Sequence, residues 1–598
     1  QADASLLIDI LDGAPDVPTD DVPVPVEEVE ATLDLFEEEP DVASGDVPDE
    51  LGVDDNFGVE ESNGRAECDN LQEAHCLLPY PSDFFRRPEG DSFRLDFRGG
   101  VLPVSTSGVP MTGDPLAEAD GHGIASPILM QFPGATLAGM VPVFQADKSL
   151  EADALTVIID TATGQRVAHW AEPDYIAALP EGESLIALRS AHAFDFGRRY
   201  VVGVRGLVGK DGPIAPSPGF LALRHKTAST TRGIHARRAH FEADIFPALE
   251  AQGFARADLQ LAFDFTTASE KNSAGLFFEM RNQLVAAMGA QGPTYTLDSV
   301  ESIEDDHIAL FVRGTAQVPS FLLPKDTSEL RLIRRDADGH PVIEGTEAVE
   351  FTLQIPKSVV ADPGKAPILQ YGHGLLGGKD EAEGGWIREF AERKGFIILA
   401  ADMQGMSTPD ALTWASNLLT DAGRFPLFHQ QPMQGVMNHL ALIRMMKGRF
   451  LTETNPLLPP GSKPIYDATR LYYFGNSQGG TIGTLIMAMT TDIARGVLGV
   501  PGCAFPFLLH RSIDFTNFVT LLRNSYDGPL DISLVLGILG SGFNRLDPLT
   551  YSPYLRDGSW EGSTPHEVLL HVGKEDAQVH NQVSFQLARR IGVPLLTP

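Results

Sequence analysis

A serine between glycines is the feature of this sequence with the clearest chemical meaning. Ser477 lies in the motif G-N-S-Q-G at 475–479, after a short β-prone run at 470–474 and before a helix-like run at 478–492. The glycines permit a tight turn and a close approach of helix to strand, which exposes the serine hydroxyl at the end of the strand. The motif therefore predicts Ser477 as a catalytic nucleophile, with a plain glycine-rich turn as the alternative.

A glycine-rich loop lies earlier in the chain. Residues 372–378 read G-H-G-L-L-G-G and follow a strand-like run at 367–371. Acyl transfer places negative charge on the carbonyl oxygen, so it requires rigid N–H donors aimed at that atom. We expect the backbone amides of Gln478, Leu375 and Gly374 to supply these donors. An ordinary strand-to-helix connection is the alternative.

The two motifs together resemble those of the α/β-hydrolase superfamily. H-G-L at 373–375 and G-N-S-Q-G at 475–479 are similar to the H-G-L and G-x-S-x-G pair of secreted bacterial lipases and esterases. The resemblance covers residues 350–598 and is specific to the superfamily, not to a substrate. It implies a doubly wound α/β sheet and ester hydrolysis by a serine, an acid and a histidine, with no metal or organic cofactor.

Strand-like and helix-like runs alternate through this region, in the order that a doubly wound sheet requires. Strands are predicted at 367–371, 396–401, 470–475, 496–500 and 567–572, and helices at 386–394, 433–446, 478–492 and 583–591. A segment at 501–556, rich in Phe, Leu and Ile, interrupts this order. We expect it to be either a lid that covers the serine and binds an acyl chain or a set of core helices. Its apolar residues include Phe505, Phe507, Leu508, Phe515, Phe518, Leu521, Leu534, Leu536 and Leu539.

Asp576 is the candidate acid. It follows the predicted strand at 567–572, where the resembling hydrolases carry the acid that orients the histidine. Asp547, in L-D-P at 546–548, is the second candidate. Asp576 is also placed to cap a helix that begins at 577, and the two roles are compatible.

The histidine is the member of the site that the sequence leaves open. The resemblance places it after a further helix and a strand that begins at 593–596, yet no histidine follows His580. His580 lies so soon after Asp576 that reaching both Asp576 and Ser477 would need an unusual loop. The other histidines weighed are His373, His429, His439, His510 and His571, the last of them within a strand expected to be buried. We expect a chain shortened at its C-terminus, with the base beyond residue 598; a hydrolase that has lost its base is the alternative.

Acidic residues are concentrated at the start of the chain. The formal net charge is −36, and residues 1–67 hold 22 Asp and Glu with a single Arg. This composition cannot bury enough apolar surface to offset the entropy cost of folding, so we expect residues 1–66 to be a disordered acidic tail. The overall acidity argues against nucleic acid or an anionic membrane as a partner, and no apolar run is long enough to span a membrane.

The cysteines indicate a cellular location. Cys68 and Cys76 are close enough in sequence to close a short loop, and we expect a disulfide that contributes about 2–3 kcal/mol. Disulfides are typical of exported proteins. Cys503 is expected to be a buried hydrophobic residue. A first residue of Gln in place of Met suggests that a leader has been removed. We therefore expect a secreted, periplasmic or cell-surface bacterial protein.

The remaining patterns divide the chain into domains. Short β-prone runs between turns predict a sandwich-like domain at 67–230, which weakly resembles bacterial Ig-like modules. A mixed helical and β connecting region follows at 231–345, and the hydrolase domain occupies 346–598. We predict an exported serine hydrolase that cleaves a small-molecule or lipid-like carboxylic ester with an apolar part. The alternative is a non-catalytic surface or scaffold protein, and a peptidase on the same fold is a third candidate.

Overall fold

The computed structural model describes residues 67–596 apart from 99, 177, 178, 180, 181, 184, 325–330, 459 and 529. The acidic tail predicted for 1–66 lies outside these residues. The described residues belong to one compact unit. The predicted domain boundary at 345 coincides with the start of a strand of the large sheet, and the domain limits stay a prediction.

The longer strands are rich in β-branched and aromatic residues. The strands are β1 (Arg86–Glu89), β2 (Ser92–Leu95), β3 (Ile128–Met130), β4 (Thr156–Asp160), β5 (Gln165–Arg166), β6 (His169–Pro173), β7 (Ile186–Ser190), β8 (Arg199–Arg205), β9 (Val208–Gly209), β10 (Gly212–Pro213), β11 (Leu259–Thr266), β12 (Thr294–Ser302), β13 (Ile308–Ser320), β14 (Gly345–Pro356), β15 (Ala366–Gly372), β16 (Ile397–Ala400), β17 (Tyr466–Asn476), β18 (Arg495–Gly499) and β19 (Glu567–His571).

Amphipathic or wholly apolar runs of helical period form the helices. The helices are α1 (Asp114–Ala117), α2 (Pro218–His225), α3 (Ile234–His240), α4 (Phe246–Ala251), α5 (Leu276–Met288), α6 (Lys357–Ala361), α7 (Gly385–Lys394), α8 (Ala411–Thr420), α9 (Gln430–Lys447), α10 (Arg449–Thr452), α11 (Gln478–Met489), α12 (Phe505–Arg511), α13 (Thr516–Ser525), α14 (Asp531–Gly542), α15 (Pro548–Tyr551), α16 (Pro553–Asp557) and α17 (Asn581–Ile591). None of these described helices is both long and apolar enough to cross a bilayer.

The large sheet has the strand order β12-β13-β14-β16-β15-β17-β18-β19. The pairs from β12 to β16 are antiparallel, whereas β16, β15, β17, β18 and β19 pair in parallel. Helices α9 and α11 pack on one face of this sheet, and α7 packs on the other. The carboxyl ends of the parallel strands meet at one edge, which is where open α/β sheets carry their sites. The predicted mixed α/β fold with a large sheet is confirmed.

The predicted parallel strands and their helices are confirmed as β15 to β19 and as α7, α9, α11 and α17. Three local predictions are wrong. The helix expected to begin at 577 begins at Asn581, and its N-cap is His580, not Asp576. Residues 593–596 form no strand. The strand that carries His571, expected to be buried, alternates between exposed and half-buried residues because β19 is the last strand of the sheet.

The region before the large sheet is built from antiparallel sheets. One has the order β11-β8-β4-β5, and a second has the order β3-β7-β6. Cys68 and Cys76 form the predicted disulfide at the start of this region. The side chains of both sheets join the same hydrophobic core as the large sheet. The Ig-like assignment stays a prediction.

The segment 501–556 forms α12 to α16. Phe507, Leu521, Leu534, Leu536 and Leu539 are buried in it, as core helices would require. Other residues of the same segment line the cavity at Ser477, as the predicted lid would.

Candidate active site

Ser477 lies at a sharp turn between the end of β17 and the start of α11. Its backbone has φ 56° and ψ −117°, a conformation that residues with a Cβ rarely adopt. The turn is held from both sides, because the Ser477 N–H donates to the Gly499 carbonyl at 3.0 Å and the Ser477 carbonyl accepts the Thr481 N–H at 2.9 Å. A strained residue fixed in this way is typical of a functional position.

The motif glycines allow the helix to lie directly on the sheet. A Cβ at Gly479 would lie 2.1 Å from the Gly372 carbonyl oxygen, and a Cβ at Gly475 would lie 2.3 Å from the Gly479 carbonyl oxygen. Neither position has room for a side chain. The contacts bring the first turn of α11 against the loop that follows β15.

The first N–H groups of a helix have no acceptor within the helix. Gln478 is the first residue of α11, so its amide points out of the helix end at the turn that holds Ser477. The Gln478 side chain is buried, and its Nε2 donates to the Met406 carbonyl at 3.0 Å. This bond fixes the helix start against the chain that follows β16.

The glycine loop, residues 372–378, is held by His373. The Nε2 atom of His373 accepts the Met403 N–H at 2.8 Å, which places the ring proton on Nδ1, and Nδ1 donates to the Gly374 carbonyl at 2.8 Å. The Gly374 carbonyl also accepts the Gly377 N–H at 3.2 Å. This peptide unit carries the Leu375 N–H, so two hydrogen bonds fix the plane of the predicted donor.

The Gly374 amide has a different partner. Its N–H donates to the Glu381 Oε2 atom at 2.9 Å. Of the amides predicted as oxyanion donors, this one is therefore already engaged by a carboxylate. The amides of Leu375 and Gln478 belong to residues that line one cavity together with Ser477.

This serine cavity is small and predominantly apolar, with a volume of about 50 Å³. Its apolar wall consists of Leu375, Met406, Trp414, Phe505, Leu508, Leu509, Phe515, Phe543 and Val579. Its polar groups are Ser477, Gln478, Thr481, Ser512, Asp514 and Gln578. Of the apolar residues named for the predicted lid segment, Phe505, Leu508 and Phe515 line the cavity, together with Leu509 and Phe543 of the same segment. The segment is thus part core and part cavity wall, and both expectations hold in part.

The two candidate acids differ in their partners. Asp576 lies after β19, and its Oδ1 accepts the N–H groups of Gln578 and Val579, each at 2.9 Å. Both of those residues line the serine cavity. Asp547 is fully buried, and its carboxylate is occupied by the N–H groups of Ala504, Phe505 and Leu549. Asp547 therefore fixes the starts of α12 and α15.

His580 is the N-cap of α17. Its Nδ1 accepts the Gln582 N–H at 3.2 Å, and its ring packs edge-on against Phe507 with centroids 4.4 Å apart. Burial, with Arg511 and Arg189 nearby, lowers the pKa of His580 to about 4. The ring is thus neutral at pH 7 and lies outside the lining of the serine cavity.

None of the residues that line the serine cavity in the described part of the chain is a histidine. The other histidines weighed from the sequence, His373, His429, His439, His510 and His571, lie outside the lining as well. The structure brings Ser477, Gln478 and Leu375 together and places Asp576 beside the cavity residues. None of the described histidines belongs to the lining of the cavity that contains Ser477.

Several cavity residues were not found from the sequence. Thr481 had a signal, because a residue four positions after the serine lies on the same side of a helix. Asp514 and Gln578 had none, since they meet only in the fold, where Gln578 Nε2 donates to Asp514 Oδ1 at 3.0 Å. Burial, together with the Asp576 carboxylate, raises the pKa of Asp514.

No protein-family model and no curated protein matches the sequence. Solved structures with partial similarity include acetyl xylan esterase 1 from Thermoanaerobacterium sp. JW/SL YS485, with a TM-score of 0.34 and 16% identity over 53% of this chain and 84% of that chain. A glucuronoyl esterase from Teredinibacter turnerae T7901 has a TM-score of 0.26 and 13% identity over 51% and 67% of the chains. The Pyrococcus horikoshii acylaminoacyl peptidase has a TM-score of 0.26 and 14% identity over 50% and 43%. These TM-scores are too low to assign a function to the chain.

Proposed function

We propose that this protein is a serine hydrolase of the α/β-hydrolase type that cleaves carboxylic esters with an apolar part. The observation that carries the proposal is the strained Ser477 at the start of α11, which opens into an apolar cavity shared with Leu375 and Gln478. The order of the site residues along the sheet supports it. The glycine loop follows β15, Ser477 follows β17 and Asp576 follows β19, all at the carboxyl ends of parallel strands.

In the proposed reaction the Ser477 hydroxyl attacks the ester carbonyl and forms a tetrahedral intermediate. The N–H groups of Gln478 and Leu375 stabilise its oxyanion, and one such donor is worth about 3 kcal/mol of barrier. Collapse of the intermediate expels the alcohol and leaves an acyl-serine. Water then attacks the acyl-serine and releases the acid.

A histidine must take the serine proton in this scheme, with Asp576 orienting it. The His580 Nδ1 accepts the Gln582 N–H, so His580 would have to release that N–H before Nδ1 could donate to Asp576. The described cavity lining contains no histidine, and this observation favours the second candidate function, a non-catalytic binding protein. A variant His580→Gln that keeps wild-type hydrolysis would exclude His580 as the base.

The apolar wall of the serine cavity supports an apolar acyl or alcohol group as the part of the substrate that is bound. We also propose that the protein is exported. The Cys68–Cys76 disulfide supports this proposal, since such bonds persist in oxidising compartments.

Covalent labelling tests the proposed function. The purified chain is treated with a fluorophosphonate probe, the adduct site is mapped by mass spectrometry, and hydrolysis of p-nitrophenyl esters is measured beside that of peptide anilides. We expect one adduct, on Ser477, and loss of both adduct and ester hydrolysis in Ser477→Ala. Ser358→Ala, at the start of α6, is the matched control and should keep both. Unchanged ester hydrolysis in Ser477→Ala would overturn the proposal.

A further inference from the structure

We propose that Glu381 is a positioning residue that holds the glycine loop in the shape that aims the Leu375 N–H at the substrate. The inference rests on the proposed function and adds to it a residue that the sequence motifs did not include. Glu381 lies in a 3-10 helix, Lys379–Glu383, which directly follows the loop.

The Glu381 carboxylate fills the inner side of the glycine loop. Its Oε2 accepts the Gly374 N–H at 2.9 Å. A Cβ at Gly377 would lie 2.0 Å from its Oε1, and a Cβ at Gly374 would lie 3.4 Å from the same atom. The space that the carboxylate occupies therefore exists because residue 377 is a glycine.

Glu381 is itself fixed to both ends of the loop. Its N–H donates to the Gly378 carbonyl at 3.1 Å, so the backbone of the 3-10 helix closes on the last loop residue. Its carboxylate lies beside Tyr371 of β15, and burial together with this carboxylate raises the pKa of Tyr371 to about 12. The side chain thus connects the strand before the loop to the middle of the loop.

These contacts determine which amide is free. Gly374 has its N–H on Glu381 and its carbonyl on His373 and Gly377, so both of its peptide groups are constrained. The Leu375 N–H belongs to the same peptide group as the Gly374 carbonyl, so it is constrained as well. Leu375 also lines the serine cavity. Without an acceptor at Glu381 the Gly374 amide would be free to rotate, and the Leu375 N–H would lose its fixed direction.

A negative charge near an oxyanion does not by itself favour catalysis. A carboxylate at this place therefore acts through the hydrogen bond that it accepts, and a neutral acceptor of the same shape should serve. Glutamine is such an acceptor, because its Oε1 can take the Gly374 N–H. Rescue by glutamine separates a positioning role from a role of the charge.

The experiment compares steady-state hydrolysis of one p-nitrophenyl ester by wild type, Glu381→Ala, Glu381→Gln and Glu381→Asp. Loss of a whole oxyanion donor lowers kcat about 100-fold or more. Glu381→Ala would misdirect one donor without removing it, so we expect kcat to fall about 10- to 100-fold and KM to change less than about twofold. Glu381→Gln should keep at least about half of wild-type kcat. Glu381→Asp, which withdraws the carboxylate by one methylene, should lose kcat as the alanine variant does.

Glu383→Ala is the matched control. Glu383 lies in the same 3-10 helix, but its carboxylate binds Arg388 at 3.0 Å and not the Gly374 amide. It should leave kcat unchanged. If Glu381→Ala does not fold, Glu381→Asp and Gly377→Ala replace it, because a Cβ at 377 displaces the carboxylate without removing it.

The outcomes distinguish the two proposals. A wild type with neither ester hydrolysis nor a Ser477 adduct overturns the proposed function and this inference together. An active wild type with Glu381→Ala and Glu381→Asp within twofold of its kcat overturns the positioning role alone. Equal loss in Glu381→Gln and Glu381→Ala also overturns it, because the effect would then belong to the charge.

Discussion

At the scale of single residues, the site is defined by backbone conformation as much as by side chains. Ser477 has a conformation that glycine adopts readily and other residues adopt at a cost of about 1–3 kcal/mol. The chain tolerates this cost because Gly499 and Thr481 hold the backbone of Ser477 from two sides. The serine hydroxyl is thereby placed at the edge of the sheet, where the proposed chemistry needs it.

Comparison of Ser477→Gly with Ser477→Ala isolates that strain, since both variants lack the hydroxyl. We expect the glycine variant to be more stable by about 1 kcal/mol in urea unfolding, because relief of strain exceeds the entropy cost of glycine. The same pair at Ser358, which lies in α6, should show the opposite sign, with alanine the more stable. Equal stability of the two variants at 477 would show that the turn carries no strain.

At the scale of elements, the close packing of α11 on the loop after β15 joins the proposed nucleophile to the proposed oxyanion donors. Gly479→Ala would place a Cβ within contact of the Gly372 carbonyl, so helix and loop must separate. We expect a loss of about 1–3 kcal/mol in the free energy of unfolding and a fall in the rate of fluorophosphonate labelling. Gly385→Ala, at the start of α7 where a Cβ meets nothing, should lower neither quantity. Wild-type labelling and stability in Gly479→Ala would contradict the packing argument.

The segment from α12 to α13 controls the size of the serine cavity. Phe515→Ala removes a ring from the cavity wall, whereas Phe518→Ala removes a neighbouring ring that does not line it. We expect Phe515→Ala to raise the preference for longer over shorter acyl p-nitrophenyl esters by about tenfold in kcat/KM, because each added methylene gains contact area. Phe518→Ala should leave the ratio unchanged. An equal preference for longer over shorter acyl esters in both variants would show that the acyl group does not bind beside Phe515.

At the scale of the whole molecule, stability depends on histidines that are buried in the neutral form. Burial is the main cause that lowers the pKa of His122, His169, His510 and His580 to about 4 and that of His439 to about 3. The pKa of an unfolded histidine is about 6.5, so between these values the unfolded chain binds more protons than the folded one. The stability from these neutral rings is present above pH 6.5 and is lost as the pH falls toward 4.

We therefore expect the urea midpoint of unfolding to fall between pH 7 and pH 5. His122 is fully buried and should contribute about 2 kcal/mol to this difference. His122→Gln should lower stability at pH 7 but reduce the dependence on pH, whereas His235→Gln, at an exposed position of α3, should leave the dependence unchanged. A midpoint that does not change across this range would contradict the assignment of neutral buried rings.

Local patterns in the sequence determined the parallel strands, the helices between them, the turn at Ser477 and the glycine loop. They did so because periodicity and glycine placement report on neighbours within a few residues. The tertiary structure alone decided that Glu381 takes the Gly374 amide, that Asp547 serves two helix starts and that His580 packs on Phe507. It also decided which residues of 501–556 line the cavity. These outcomes depend on hydrogen bonds and ring contacts, most of them between residues far apart in the chain, and the competition of each polar group for partners is settled only when the elements have packed.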